Sequence, residues 1–189
     1  MEVYLINQQK KLHKHLENLK SKSVMKYDKN KLIEKLTAIK IETTKSLEEL
    51  NLDFFFAYNI FPSDILIYKT QWNLEHRSMN IGDTIVQQAF LPPNKSLSQK
   101  VIFGVRIHQI INEENRKGFS YETIEGHVEK GISTFTIEQV DDELSFKIQT
   151  FSTPGNIITK LVGPIITIPY QTYCTKKALA YVKNQLERQ

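Results

Sequence analysis

The chain runs to 189 residues, 40% of them hydrophobic and 24% charged, which suits one soluble domain with an appendage. Its apolar runs are far too short to cross a bilayer, and Met1–Asn7 lacks the basic start and apolar centre of a secretory signal, so a cytoplasmic protein is expected. The whole net charge of +4 resides in residues 1–50, where eleven lysines stand against seven carboxylates; without an arginine cluster these read as a solvated helical face, and no nucleic-acid partner is expected.

Up to Asn51 the apolar period is helical. Leu12, Leu16 and Leu19 recur at spacings of four and three, and so do Leu32, Leu36 and Ile39. The polar stretch Ser21–Lys29 separates the two groups, and Asp28 or Asn30 is available to cap the second. The spacing predicts a helical hairpin over residues 1–50, packed on a main domain at 51–189.

After Asn51 the period becomes two. Phe54, Phe56, Tyr58 and Ile60 predict a first strand, although Phe55 and Phe61 make it apolar on both faces. Ser63–His76 predicts a short helix, with Trp72 as a core anchor. Four further alternations follow: Thr84–Phe90, ended by Pro92–Pro93, then Val101–Ile107, Phe119–Thr123 and Phe135–Ile137. Leu144, Phe146 and Ile148 make a last strand, and Asp141–Asp142 predicts a hairpin turn before it. Arg106 and His108 fall on the opposite strand face from Phe103, Val105 and Ile107 and are expected in solvent.

The last 25 residues return to a helical period. Ile166, Tyr170, Tyr173, Cys174, Ala178, Tyr181 and Val182 trace one stripe, and Pro164 and Pro169 fall near its start, where proline is tolerated. The single cysteine, Cys174, excludes an internal disulfide and a multi-cysteine zinc site, and within the stripe it reads as a packed thiol. Strands followed by one long amphipathic helix give an α+β fold in which an antiparallel sheet buries its inner face on that helix. The order resembles the helix-grip fold of START and Bet v 1 proteins, whose curved sheet wraps a C-terminal helix and often encloses an apolar cavity. A hotdog fold would place its long helix earlier, and a lipocalin would show eight evenly spaced hairpin strands.

Gly118–Gly131, reading Gly-Phe-Ser-Tyr-Glu-Thr-Ile-Glu-Gly-His-Val-Glu-Lys-Gly, concentrates three of the seven glycines with a histidine and three glutamates. Phe119, Tyr121 and Thr123 share one strand face. Gly126 directly before His127 predicts a tight turn that aims the imidazole. His127 and Glu129, two apart, fall on one side of extended backbone, so the carboxylate could orient a ring nitrogen. Three roles fit: a hairpin that satisfies buried backbone groups, an acid–base pair of His127 and Glu129 with Tyr121 adding a hydroxyl, or two metal ligands. A third ligand would have to come from His108, Glu122 or His76, and no spacing supports one, so no metal and no cofactor are expected.

The run Gly-Phe-x-Tyr-x-Thr-x-x-Gly-His-x-Glu-x-Gly resembles the hallmark of the family DUF1990, and Phe151-Ser152-Thr153-Pro154 with Gln171, Tyr173, Ala178 and Leu179 agrees further on. The resemblance covers residues 50–185 and leaves out the lysine-rich opening. It implies a shared fold and a shared site around Gly126, His127 and Glu129, and no reaction. There is no glycine-rich phosphate loop, dinucleotide fingerprint, zinc-protease motif or nucleophile elbow. The first functional expectation is a small apolar or amphipathic ligand between sheet and terminal helix, touched by Phe119, Tyr121, Thr123, Gly126, His127, Tyr170 and Tyr173. The alternatives are an enzyme of hydrolase, cyclase or lyase type using His127 and Glu129, and an interaction module built on the basic N-terminal hairpin.

Overall fold

The computed structural model describes residues 2–91, 98–154 and 168–189, apart from the side chains of Pro154, Ile168, Pro169 and Tyr170. The breaks expected at Pro92–Pro93 and the helix start at Pro164 and Ile166 lie outside the described residues. In chain order the elements are β1 (Glu2–Tyr4), α1 (Leu12–Lys20), β2 (Ile33–Ile41), α2 (Asp53–Phe56), β3 (Leu66–Thr70), α3 (Gln71–Leu74), β4 (Thr84–Leu91), β5 (Gln99–Glu113), β6 (Arg116–Thr123), β7 (Glu129–Val140), β8 (Glu143–Pro154) and α4 (Ile168–Leu186). The strands form one curved antiparallel sheet in the order β2-β8-β7-β6-β5-β4-β3, with β1 paired to the start of β5.

From β4 to β8 the sheet is a run of neighbours in sequence, as the alternating apolar residues predict. Two-residue loops join β5 to β6, at Glu113↔Arg116, and β7 to β8, where Asp141 at φ 53° turns Val140 back onto Glu143. Period-two side chains then divide between two faces. On the inner face, Phe119, Phe135, Phe146 and Ile137 are buried with Ala178, Leu179, Val182 and Leu186 of α4. Phe119 and Phe135 sit opposite each other on β6 and β7 with stacked rings 5.3 Å apart. The outer face is covered over β4 and β5 by α1, whose Leu12, Leu16 and Leu19 meet Val86, Ile102 and Ile124. Both faces are therefore covered where the apolar pattern is strongest.

The helical hairpin expected over residues 1–50 is replaced by one α-helix and two sheet strands, short β1 and long β2. The Leu12–Leu16–Leu19 spacing does form α1, but Ile33–Ile41 is β2, paired along all nine residues with β8 from Ile33↔Ser152 to Ile41↔Leu144. Pairing on β8 gives this segment a partner for its backbone, and its β-branched Ile33, Thr37, Ile39 and Ile41 suit a pleat. The buried set is Ile39 and Ile41, two apart, while Leu36 is 60% exposed. The Leu32–Leu36–Ile39 spacing that suggested a helix thus splits between the faces, with Leu36 outward and Ile39 inward.

The strand expected over Phe54–Ile60 is likewise a helical turn. Asn51 Oδ1 accepts the Asp53 amide at 2.8 Å, and the amides of Phe55 and Phe56 both bond to the Leu52 carbonyl. The Asn51 side chain starts the turn, and burial of Phe55 from several sides holds it. Phe55 is fully buried between Phe119 and Phe146. The short helix expected at Ser63–His76 is a turn, strand β3 and then the single helical turn α3, capped by Thr70 Oγ1 on the Asn73 amide. Trp72 is buried as expected, its Nε1–H donating to the Phe56 carbonyl at 3.1 Å. Arg106 does not face solvent; it is half-buried against α1.

Candidate functional site

Between the inner sheet face and the first turns of α4 the packing opens into a cavity of about 290 Å3. The core closes over the C-terminal half of α4, where small Ala178 lets the helix approach, but nearer Gln171 and Cys174 the helix stands off the sheet. Phe61, Leu66, Ala89, Val101, Phe103, Phe135 and Ile148 supply the apolar wall. The polar wall follows from strand register: Lys35 on β2 pairs with Thr150 on β8, Thr150 with Ser133 on β7, and Ser133 with Tyr121 on β6. Ser133 Oγ and Thr150 Oγ1 are 3.1 Å apart. Behind them the buried Gln87 donates to the Tyr58 hydroxyl at 2.7 Å. Burial raises the pKa of Tyr58 and of Tyr121, so both keep their hydroxyl protons.

The turn expected before His127 is present. His127 N–H donates to the Ile124 carbonyl at 3.0 Å, and Gly126 sits at φ 90°, which is the geometry of a type II turn with glycine at its third position. Gly131 then rejoins the sheet at φ 154°, and a Cβ there would lie 2.0 Å from the Phe151 carbonyl oxygen. Its amide donates to Thr123 Oγ1 at 3.1 Å, which occupies that hydroxyl inside the hairpin.

His127 lies on the cavity wall with its ring edge-on to Phe103, centroids 4.6 Å apart. Its orienting partner is the backbone of Glu129 and not the carboxylate. Nδ1 is 2.9 Å from the Glu129 carbonyl oxygen and 3.1 Å from the Glu129 amide nitrogen. A protonated Nδ1 donates to the carbonyl and a bare Nδ1 accepts the amide; either way Nε2 carries no intramolecular bond among the described residues. Burial drives the pKa down to about 4, while the Glu129 carbonyl pulls the other way. The imidazole is therefore neutral at pH 7. The Glu129 carboxylate also borders the cavity.

The site residues named from sequence thus separate. Tyr121, Thr123, His127 and Glu129 line the cavity. Phe119 is in solid core, and Gly126 shapes the turn on the other side of Phe103, beside His15 and Asn18. Tyr173, expected on the cavity face, is 37% exposed, with Lys177 Nζ 5.7 Å above its ring. At 100° per residue it falls opposite Gln171, Ala178 and Val182, which face the sheet. The Tyr170 side chain lies outside the described residues. Sequence reading missed Gln87, whose polarity is hidden in an apolar strand, and Lys35, whose strand was read as helix. His108 and Glu122 form their own pair at 3.1 Å, with Tyr27 donating to Glu122, and no group of three metal-ligating side chains occurs among the described residues.

The family model described as "Domain of unknown function (DUF1990)" matches residues 70–181, from the end of β3 into α4. The chain belongs to that family. The matched span of this DUF1990 protein contains the whole His127 turn and most of the cavity wall, while α1, β2 and α2 precede it. A solution NMR structure of a protein from Arthrobacter aurescens is similar over 88% of this chain and 92% of its own, at 9% identity and a TM-score of 0.50. An uncharacterised protein from Rhizobium leguminosarum is similar over 84% of this chain and 97% of its own, at 12% identity and a TM-score of 0.47. At such identity the first shares the fold alone. No curated protein matches the sequence. No helix among the described residues is long and apolar enough to cross a membrane.

Proposed function

We propose that this DUF1990 domain binds a small apolar or amphipathic molecule between its sheet and its C-terminal helix, in the manner of a helix-grip domain. The observation that carries the reading is the cavity of about 290 Å3, with an apolar wall and a few placed polar groups. That size lies near the lower end for small-molecule sites, roughly 300–1,000 Å3, and argues for a single-chain or single-ring ligand over a whole phospholipid. Tyr121 and Nε2 of His127 offer hydrogen bonds to a polar group on an otherwise apolar body. A thermal-shift screen with short-chain lipids and aromatic metabolites tests this, with a rise in Tm expected for at least one class. No shift with any of them would overturn it.

A second reading, an acid–base enzyme of hydrolase, cyclase or lyase type, draws on the same wall. Neutral His127 and the Glu129 carboxylate both border the cavity. Binding ranks first because a histidine with a pKa near 4 is a weak base and at pH 7 is not the imidazolium that would serve as a general acid. His127→Gln that keeps the Tm and abolishes a measured turnover would reverse the ranking.

A further inference from the structure

Among the described residues, three charged side chains border the cavity: Lys35, Lys176 and Glu129. Their placement is asymmetric. Lys35 Nζ donates to Gln171 Oε1 at 3.3 Å, which brings the start of α4 to β2. Twelve residues further along the helix, Lys183 Nζ donates to the Lys40 carbonyl of β2 at 2.9 Å. Helix and strand therefore run side by side, since twelve helical residues and five strand residues both span about 17 Å. Lys176 is seven residues before Lys183 and shares its flank of α4, the one that faces β2. The two lysines thus stand on one rim, where α4 meets β2, and Lys176 has no carboxylate partner among the described residues.

Glu129 stands at the other end. Register places Lys35 opposite Thr150 and Ser133, whereas Glu129 is two strands away and four residues further along β7. That separation is about 16 Å between Cα positions. Register puts Ile148 and Phe135 one step past the Lys35 row, on the side away from Glu129, and Phe103 on β5, beyond β7 as counted from β2; all three line the cavity. Among the described residues the cavity thus has a largely apolar lining, with two cations on the β2 rim and one anion well away from them on β7.

Resting on the binding reading above, we infer that the ligand is an amphipathic acid, its anionic group held at the Lys35–Lys176 rim and its apolar body lying along Phe103 and Phe135. Glu129 sets the direction by repelling the acid from its end. Rim lysines keep much of their hydration, so the acid gains a moderate preference and the apolar wall supplies most of the affinity.

Isothermal titration of the full chain with decanoate, decanol and decylamine tests this. One chain length with three head groups separates the acid from the trough. Decanoate is expected to bind about five- to tenfold tighter than decanol, with decylamine weakest, and the advantage to shrink as salt rises. The double variant Lys35→Gln/Lys176→Gln is expected to bring decanoate to the affinity of decanol and to leave decanol unchanged. If decanol or decylamine binds as tightly as decanoate, the acid assignment fails while the binding trough stands. If none of the three binds, the trough reading fails with it.

Discussion

Arg106 on β5 reaches across the outer sheet face and donates from Nη2 to the Leu19 and Lys20 carbonyls, at 3.1 and 3.0 Å. Those are the last carbonyls of α1, of which that of Leu19 also accepts the Lys22 amide, and a guanidinium there complements the negative end of the helix. The same nitrogen is 3.3 Å from Thr84 Oγ1, so one side chain ties α1 to β4 and β5.

Arg106→Met keeps the stem but removes these charged hydrogen bonds. A loss of about 1–3 kcal/mol is expected from urea denaturation at pH 7. Loss of α1 docking should show as faster amide exchange over Leu12–Lys20. Unchanged exchange there would mean that Leu12, Leu16 and Leu19 hold the helix without the cap.

Stability should fall in mild acid through His127. Its native pKa of about 4 lies below the ordinary histidine value of about 6.5, so the unfolded chain binds more protons over that window. The stabilising difference is complete above pH 6.5 and is lost as pH falls towards 4. After allowance for the ring's partial exposure, the loss is about 2–3 kcal/mol. His127→Asn should abolish this slope. Wild-type and variant urea midpoints at pH 7 and pH 4.5 give the comparison, because the carboxylate contributions are shared.

Gly131→Ala should be the most damaging change in the hairpin. The residue sits at φ 154°, and an added Cβ would meet the Phe151 carbonyl oxygen at 2.0 Å. Only strand separation relieves that contact, so a cost above about 3 kcal/mol is expected, read as a fall in Tm or in soluble yield. A variant with wild-type Tm would show that β7 and β8 can part locally at no cost.

Filling the cavity should separate binding from stability. Ala89 is buried on β4 and borders the open space. Ala89→Phe projects a ring into that space, so Tm should change little while thermal shifts by any ligand disappear. Cys174 offers a second readout because it is the single cysteine and also borders the cavity. Its rate of maleimide labelling should fall when ligand is bound and stay unaffected by the same ligand in Ala89→Phe.

What was legible in the sequence was whatever local period and turn chemistry decide alone. Alternation from Thr84 to Ile148, the Asp141–Asp142 turn, the long C-terminal helix and the glycine turn before His127 all appear in place, because each is fixed within a few residues. Tertiary structure decided the rest. Ile33–Ile41 is a strand because β8 offers it a paired edge more than a hundred residues away, and no short window contains that partner. Phe54–Phe56 coils because Phe55 finds Phe119 and Phe146 on separate strands. The trough depends on where α4 stops touching the sheet, and the facing of Lys35 towards Gln171 depends on two elements that meet only after folding.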